Sequence, residues 1–235
     1  MKAIILAAGI GSRLGDMTRT IPKPMIEIRG EPILKRTIAW LKNSGVTDIF
    51  MNLHHAPHII TDFFGDGSAF GVSISYSREE ELLGTAGGVK KILQENDSAA
   101  KEPILVLYGD NLYPKSYILE KFLAFHKAQE VPVSIGLCHH DGDVSHKGVV
   151  MLKDSHIVEF IEKPSYKPDS NLINIALYLL YPSIANMIPE GYSDFGKDLF
   201  PKMLREGISL GGYIFSEPVG VIDTPELYEI ERTRQ

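Results

Sequence analysis

The chain has 235 residues, 44% of them hydrophobic and 23% charged, which suits a globular protein with one sizeable core and excludes a disordered or fibrous chain. With 30 acidic residues against 24 basic ones the net charge is −6, which argues against a nucleic-acid backbone as the main partner, although a few focused cations can still hold a small anion. No stretch approaches the ~20 apolar residues needed to cross a bilayer, and the single cysteine, Cys138, has no internal disulfide partner, so no membrane contact and a reducing, cytoplasmic setting are expected.

In chain order, a short apolar strand is expected over 2–6, running into a turn of small residues. The opening run of apolar residues resembles a secretory leader, but it is short and passes straight into glycines that cleavage would remove. Pro32 opens a helix over 32–43 that sets Ile33, Leu34, Ile38 and Leu41 on one face, with Gly45 as its stop. A strand over 48–53, a helix over 57–64, a strand over 72–76, a helix over 87–94 and a strand over 104–108 follow. This alternation implies a mostly parallel sheet flanked by helices on both faces, with ligands beyond the carboxyl ends of the strands. After a helix over 117–129 the pattern turns strand-rich, at 131–138, 148–152, 156–161 and 172–181, and returns to helix over 194–206 and 225–232. Cys138 ends an apolar run and is expected to be buried against the sheet. A single domain over 1–235 is expected, with a soft boundary near Gln129 between its halves, about 1–129 and 130–235.

The chemistry concentrates first in residues 6–25. Leu6, Ala7, Ala8, Gly9, Gly11 and Ser12 carry small side chains or end the strand, so a nucleotide can lie against backbone N–H groups there. Arg13 offers a planar fork for phosphate oxygens, and Lys23, between Pro22 and Pro24, is a cation on a stiffened segment. Two cations on one loop suit a polyphosphate. A dinucleotide fingerprint would need a third glycine where this chain has Leu14, and no Gly-Lys-Ser/Thr run of a P-loop occurs. Further on, Gly84-Thr85-Ala86-Gly87-Gly88 precedes a helical pattern, so its N–H groups are expected to form an open helix N-terminus. The strand over 104–108 ends in Gly109-Asp110, a carboxylate at the ligand edge of the sheet.

With Leu-Ala-Ala-Gly-Ile-Gly-Ser-Arg-Leu and Pro-Lys-Pro in this order, followed by Leu83-Gly-Thr-Ala-Gly, Gly109-Asp110 and Glu162-Lys163-Pro164, the chain resembles the sugar-1-phosphate nucleotidyltransferases. The resemblance covers nearly the whole length and implies a Rossmann-like α/β fold with a strand-rich sugar-binding subregion. It implies attack by a sugar 1-phosphate on the α-phosphorus of a nucleoside triphosphate, giving a nucleotide sugar and pyrophosphate, with Mg²⁺ as the cofactor. Arg13, Lys23 and Asp110 take catalytic roles by this resemblance. Leu6, Ala7, Ala8, Gly9, Gly11, Ser12, Gly84, Thr85, Ala86 and Gly87 line the nucleotide, and Gly148, Glu162, Lys163 and Asn174 take the sugar phosphate. The Leu-Gly-Thr-Ala-Gly-Gly segment and residues 194–201 resemble mannose- or heptose-type guanylyltransferases, which points to GTP. The rival acceptor is a non-sugar phosphate such as phosphocholine with CTP, and the rival from another class is a silent, ligand-sensing homologue. Longer relatives carry an appended β-helix that this chain lacks, so a minimal catalytic unit is expected; its assembly state is left open, a homodimer among the options.

Two departures from the family pattern stand out. Ala176 replaces the glycine of Asn-x-Gly-x-Tyr, which is expected to alter sugar fit, and Val221 falls where the second metal-binding aspartate belongs. Asp223 lies two residues later on the same side of an extended strand, and is the expected substitute. The cluster His54-His55-Ala56-Pro57-His58 invites a zinc reading, but Pro57 disrupts the helix that would align its histidines. His139-His140-Asp141-Gly142-Asp143 reads as a solvated turn, and Met187 and Met203 read as core.

Overall fold

A computed structural model describes residues 1–96 and 102–234. The elements, in chain order, are β1 (Lys2–Leu6), β2 (Glu27–Ile28), β3 (Glu31–Pro32), α1 (Ile33–Asn43), β4 (Asp48–Leu53), α2 (Pro57–Phe64), β5 (Ser73–Arg78), α3 (Gly84–Glu95), β6 (Ile104–Tyr108) and β7 (Asn111–Leu112). They continue as α4 (Leu119–Gln129), β8 (Val133–His139), β9 (Gly148–Lys153), β10 (His156–Glu162), β11 (Leu172–Leu180), α5 (Phe200–Arg205), β12 (Leu210–Ile214), β13 (Gly220–Val221) and α6 (Pro225–Thr233). The chain divides into two units, one built from 1–82, 107–115 and 219 onward, the other from 83–106 and 116–218, so it passes from one to the other inside β6.

In the first unit β1, β4 and β5 pair in parallel, with Ile4 opposite Phe50 and Phe50 opposite Ser75. β1 and β4 are short apolar runs buried on both faces, the pattern that helix-covered parallel sheets require, whereas β5 is largely polar and alternates between buried and exposed positions. A separate apolar cluster of Leu14, Ile26, Ile28, Ile33 and Ile222 lies beneath the loops after β1 and β13. Two of its members, Leu14 and Ile222, adjoin Arg13 and Asp223 in the chain, so the burial that stabilises the cluster also fixes where those charges emerge.

The second unit carries the strand order β11-β8-β12-β10-β9, antiparallel throughout except for β12 beside β8, with β9 also pairing β11. The mixed α/β class is as the sequence implies, and most boundaries fall within two residues of expectation. Some readings need correction. Pro32 belongs to β3 and the helix begins at Ile33. The helix over 194–206 opens as a π turn, Phe195–Leu199, before α5. Strand β12 had no counterpart in the sequence reading: its Leu-Gly-Gly-Tyr-Ile core interrupts the apolar run with two glycines, which pass close to Ser134 and Leu152. Cys138 is buried in β8, as expected; Met203 is core, but Met187 is only half-buried.

One buried histidine sits in this second unit. His126 on α4 is fully buried, with Nδ1 2.9 Å from Ser134 Oγ and its ring against Tyr181. Burial, helped by the neighbouring Lys127 charge, pushes its pKa down to about 4, so it folds neutral. Since the folded value is below the ordinary 6.5, its contribution is complete above pH 6.5 and is lost as pH falls toward about 4. The wild-type protein should lose on the order of 3 kcal/mol across that window, and His126→Gln should flatten the slope when urea midpoints are followed against pH.

Candidate active site

In the first unit the site is organised around one buried cation. Lys23 is 7% exposed, and its Nζ donates to Asp110 Oδ2 and to Asp223 Oδ1, each at 2.5 Å. Arg13 reaches the other oxygen of Asp223 at 3.3 Å with an exposed guanidinium. Burial alone would lower the Lys23 pKa, but the charges and hydrogen bonds of Asp110 and Asp223 outweigh it and hold the group above its ordinary 10.5. The stabilisation is therefore intact below pH 10.5 and is lost only as pH rises through the higher folded value, so Lys23 is a fixed cation at neutral pH.

Each partner is delivered by a local constraint. Gly11 adopts φ +70°, and a Cβ there would sit 3.0 Å from both Lys23 Cβ and Thr18 Cγ2, so only glycine lets the lysine stem pass. Thr18 Oγ1 donates to the Gly11 carbonyl at 2.9 Å and closes the loop. Gly109 donates its N–H to the Leu6 carbonyl at 2.9 Å, and a Cβ there would meet Ile5 at 2.9 Å. The turn carrying Asp110 thus lies directly on β1. Behind it Tyr113, whose Oη accepts the Tyr108 N–H, stacks on Trp40.

Val221 pairs with Asn111 across the β13–β7 ladder, and Asp223, two residues on, is the residue that meets Lys23. Asp110 and Asp223 thus aim one hard carboxylate oxygen each at the Lys23 ammonium, a pair of donors of the kind that could hold Mg²⁺. Among the described residues no group of three or more His, Cys, Asp and Glu side chains could hold a metal. His54 Nδ1 instead lies 2.9 Å from the Glu79 carbonyl and His55 Nε2 2.9 Å from the Thr18 carbonyl, and Pro57 begins α2 rather than breaking it.

Two expectations about free backbone donors need correction. The Ala7 N–H donates to Asn52 Oδ1 at 2.8 Å, and the Asn52 amide donates to Glu79 Oε1 at 2.7 Å, so Ala7 has no spare N–H for a base. Asn52 is a buried polar residue of β4 that sequence reasoning missed; a polar side chain inside an otherwise apolar strand was its only signal. In the second unit the helix starts at Gly84, not Gly87, and its first N–H groups are taken: Ala86 and Gly87 donate to the Ser193 carbonyl at 2.8 and 3.0 Å, and Thr85 to Asp194 Oδ1 at 3.3 Å. A Cβ at Gly84 would lie 2.5 Å from the Ser193 carbonyl oxygen, and one at Gly87 2.6 Å from that of Gly191. These glycines exist for backbone-to-backbone packing. Ala8, Gly9 and Ser12 remain on the loop, Gly9 with open space where a side chain would be, and a cavity of about 420 Å³ adjoins Ser12, Gly15, Thr18 and His55.

The sugar-end residues also lie in the second unit. Glu162 ends β10 opposite Gly148 on β9, and its Oε2 occupies space that a Cβ at Gly148 or Gly196 would enter, at 3.0 and 2.5 Å. Burial raises the Glu162 pKa, the Asp194 charge adds to this, and Lys163 and Lys197 oppose it. Lys163 follows in a left-handed conformation, φ +51°, with its Nζ 4.0 Å from Glu162 and half exposed. Asn174 is preset: its Oδ1 accepts the Ala176 N–H and its Nδ2 donates to Tyr178 Oη, both at 2.9 Å. Ala176 is the strained residue of a register shift in β11, at φ +55°, so the family glycine is explained by backbone conformation.

A family model described as nucleotidyl transferase matches residues 2–223. Over 88% of its length the chain is 37% identical to a UTP–glucose-1-phosphate uridylyltransferase of Synechocystis, covering 56% of that protein. It is 32% identical to a probable mannose-1-phosphate guanylyltransferase of Oryza sativa, again over 88% of this chain and 57% of that one. The chain therefore spans little more than half the length of these curated relatives. The crystal structure of HddC from Yersinia pseudotuberculosis complexed with GMP-PN superimposes with a TM-score of 0.81 at 26% identity, covering 98% of this chain and 97% of that one.

Two stability changes follow from this geometry. Ala176→Gly should raise stability by about 1 kcal/mol, because a left-handed alanine is strained by roughly 1–2 kcal/mol and glycine gives part of that back in chain entropy. Asn52→Ala should cost roughly 1–3 kcal/mol by leaving the buried Ala7 N–H without its acceptor; urea unfolding of the two variants beside wild type measures both.

Proposed function

Because the chain belongs to the nucleotidyl transferase family, we propose that it transfers a nucleoside monophosphate from a triphosphate to a sugar 1-phosphate, releasing pyrophosphate. The observation that carries this reading is the buried Lys23 ammonium bridging Asp110 and Asp223 beside Arg13, a set of charges suited to a polyphosphate. We favour GTP as donor, a choice supported by the guanylyltransferase relative and by the GMP-PN complex of HddC. UTP, named in the uridylyltransferase relative, is the competing donor.

The reaction needs no protein nucleophile, since the attacking phosphate is already ionised at neutral pH. The task left to the protein is alignment and charge stabilisation. Arg13, exposed and forked, takes oxygens of the departing pyrophosphate. Lys23, held rigid by two carboxylates, neutralises charge that builds around the α-phosphorus. Asp110 and Asp223 are the residues to hold Mg²⁺, which when bound would supply further positive charge to the phosphates. Glu162, penned between two glycines, accepts hydrogen bonds from sugar hydroxyls, Asn174 adds a preset amide, and the Lys163 ammonium meets the sugar's phosphate as a point charge. A carboxylate and an amide both suit a polyhydroxylated acceptor, which is why a sugar is preferred to an amino-alcohol phosphate.

Among the described residues no helix is long and apolar enough to cross a membrane. A reducing, cytoplasmic setting stays part of the proposal, the assembly state stays open with a homodimer among the options, and neither enters the mechanism.

Pyrophosphate release with Mg²⁺ should appear with GTP and one sugar 1-phosphate in a matrix of five nucleotides against mannose, glucose, N-acetylglucosamine, heptose and choline phosphates. Silence across the sugars would overturn the reading. Lys23→Ala should lower turnover on the order of a hundredfold, the scale for losing one charge-stabilising donor.

A further inference from the structure

Residues 191–198 touch both the α3 turn and the Glu162 carboxylate within the second unit. At the nucleotide end, Asp194 Oδ1 accepts from the Thr85 hydroxyl at 3.1 Å and from the Thr85 N–H at 3.3 Å. Thr85 Oγ1 in turn accepts the Phe195 N–H at 2.9 Å, and the Ser193 carbonyl caps Ala86 and Gly87. At the sugar end, Gly196 lies so close to the Glu162 carboxylate that a Cβ would fall 2.5 Å from Oε2. Phe195 is fully buried with its ring 5.0 Å from that of Tyr178, whose hydroxyl accepts from Asn174 Nδ2. From Phe195 to Leu199 the chain is wound as a π turn, a form in which one extra residue is accommodated at a cost in regularity and which is frequent at functional sites.

A segment that caps the first turn of α3 with one residue and backs a sugar-binding carboxylate with the next cannot shift at one end alone. We propose that residues 191–198 couple the two substrates: they transmit occupancy of the Glu162 and Asn174 end to the Gly84–Gly87 turn, with Asp194 as the positioning residue. This inference rests on the reading of those residues as substrate contacts, but the mechanical link belongs to the protein without ligand. Coupling of this kind is reciprocal, so perturbing either end must be felt at the other. The path is short, running from Glu162 through Gly196 and Phe195 to Thr85, and from Asn174 through Tyr178 to Phe195.

Gly196→Ala introduces a methyl against the Glu162 carboxylate with no demand for a positive φ, so it pushes on the segment from the sugar side. Amide hydrogen exchange of ligand-free protein, read on residues 84–88, should accelerate about tenfold, the scale of one net hydrogen bond lost. Glu162→Ala combined with Gly196→Ala removes the collision and should restore wild-type exchange there. A purely local role for either residue predicts no such rescue. From the other side, Thr85→Val deletes the hydroxyl that joins Asp194 to Phe195, and should accelerate exchange at the Ala176 amide several-fold. Unchanged exchange at 84–88 in Gly196→Ala, or failure of the double variant to restore it, overturns the coupling; should Gly196→Ala fail to fold, an unchanged Ala176 amide in Thr85→Val overturns it instead. Mannose 1-phosphate, added as probe, should slow exchange at 84–88 in wild type and not in Thr85→Val. If it leaves wild type unchanged while both variants behave as expected, the coupling stands and mannose 1-phosphate is overturned as the acceptor.

Discussion

The ammonium of Lys23 is the point on which the first unit turns. It draws together a residue 87 positions away and another 200 positions away, and it does so at 7% exposure, where an unpaired charge would be severely destabilising. Two carboxylates at hydrogen-bond distance make the burial tolerable, and in return their own positions are fixed by it. Everything near that point serves the same end. Gly11 gives way to the lysine stem, Gly109 lays the Asp110 turn on β1, and the Leu14, Ile26, Ile28, Ile33 and Ile222 cluster anchors the segments from which Arg13 and Asp223 emerge. The site is therefore preorganised by packing as well as by charge, which is what a reaction dependent on alignment requires.

How much of this could be read in advance depends on which forces are local. The strands over 2–6, 48–53 and 104–108 were legible to the residue, because a short apolar run bounded by turn residues is a complete local description of a buried parallel strand. Arg13 and Lys23 were singled out by residue chemistry on one loop and Asp110 by the family resemblance, and the structure brings Lys23 to Asp110 and Arg13 to Asp223. Strand β12 was not, because its identity comes from pairing with β8 and its glycines from neighbouring side chains, neither of which is written in the segment itself. Asn52 was invisible for the same reason: its purpose is the Ala7 N–H, 45 residues away. The substitution of Asp223 for the residue at Val221 sits between these cases. Two-residue spacing on an extended strand permits it, and the structure pairs the Val221 backbone with Asn111 while Asp223 meets Lys23.

The glycine-rich turn before α3 teaches a related lesson about small residues. Such a turn reads naturally as a set of exposed N–H donors awaiting an anion, since a helix N-terminus carries four of them. Here the donors of Thr85, Ala86 and Gly87 are already paired with Ser193 and Asp194, and Gly84 and Gly87 are small because another backbone lies against them. Gly148 and Gly196 repeat the pattern around Glu162, where absent side chains leave room for a carboxylate. In each place a glycine marks a close approach, and the approaching group is protein.

The charge balance around Lys23 bears on the need for a metal. Arg13 and Lys23 supply two positive charges, and Asp110 and Asp223 supply two negative ones at 2.5–3.3 Å, so the set is close to neutral before any substrate arrives. The proposed substrates, a nucleoside triphosphate and a sugar phosphate, would together bring several negative charges. Lysine and arginine already compensated by carboxylates cannot also neutralise those phosphates in full, and repulsion between the two substrates would then oppose their approach. Under the proposed function Asp110 and Asp223 would hold Mg²⁺, and the positive charge it would supply there would turn the two carboxylates from competitors for Lys23 into anchors for a further cation. Asp110 and Asp223 are thus the reason Lys23 can be buried, and under the proposed function they are also the residues that would hold Mg²⁺.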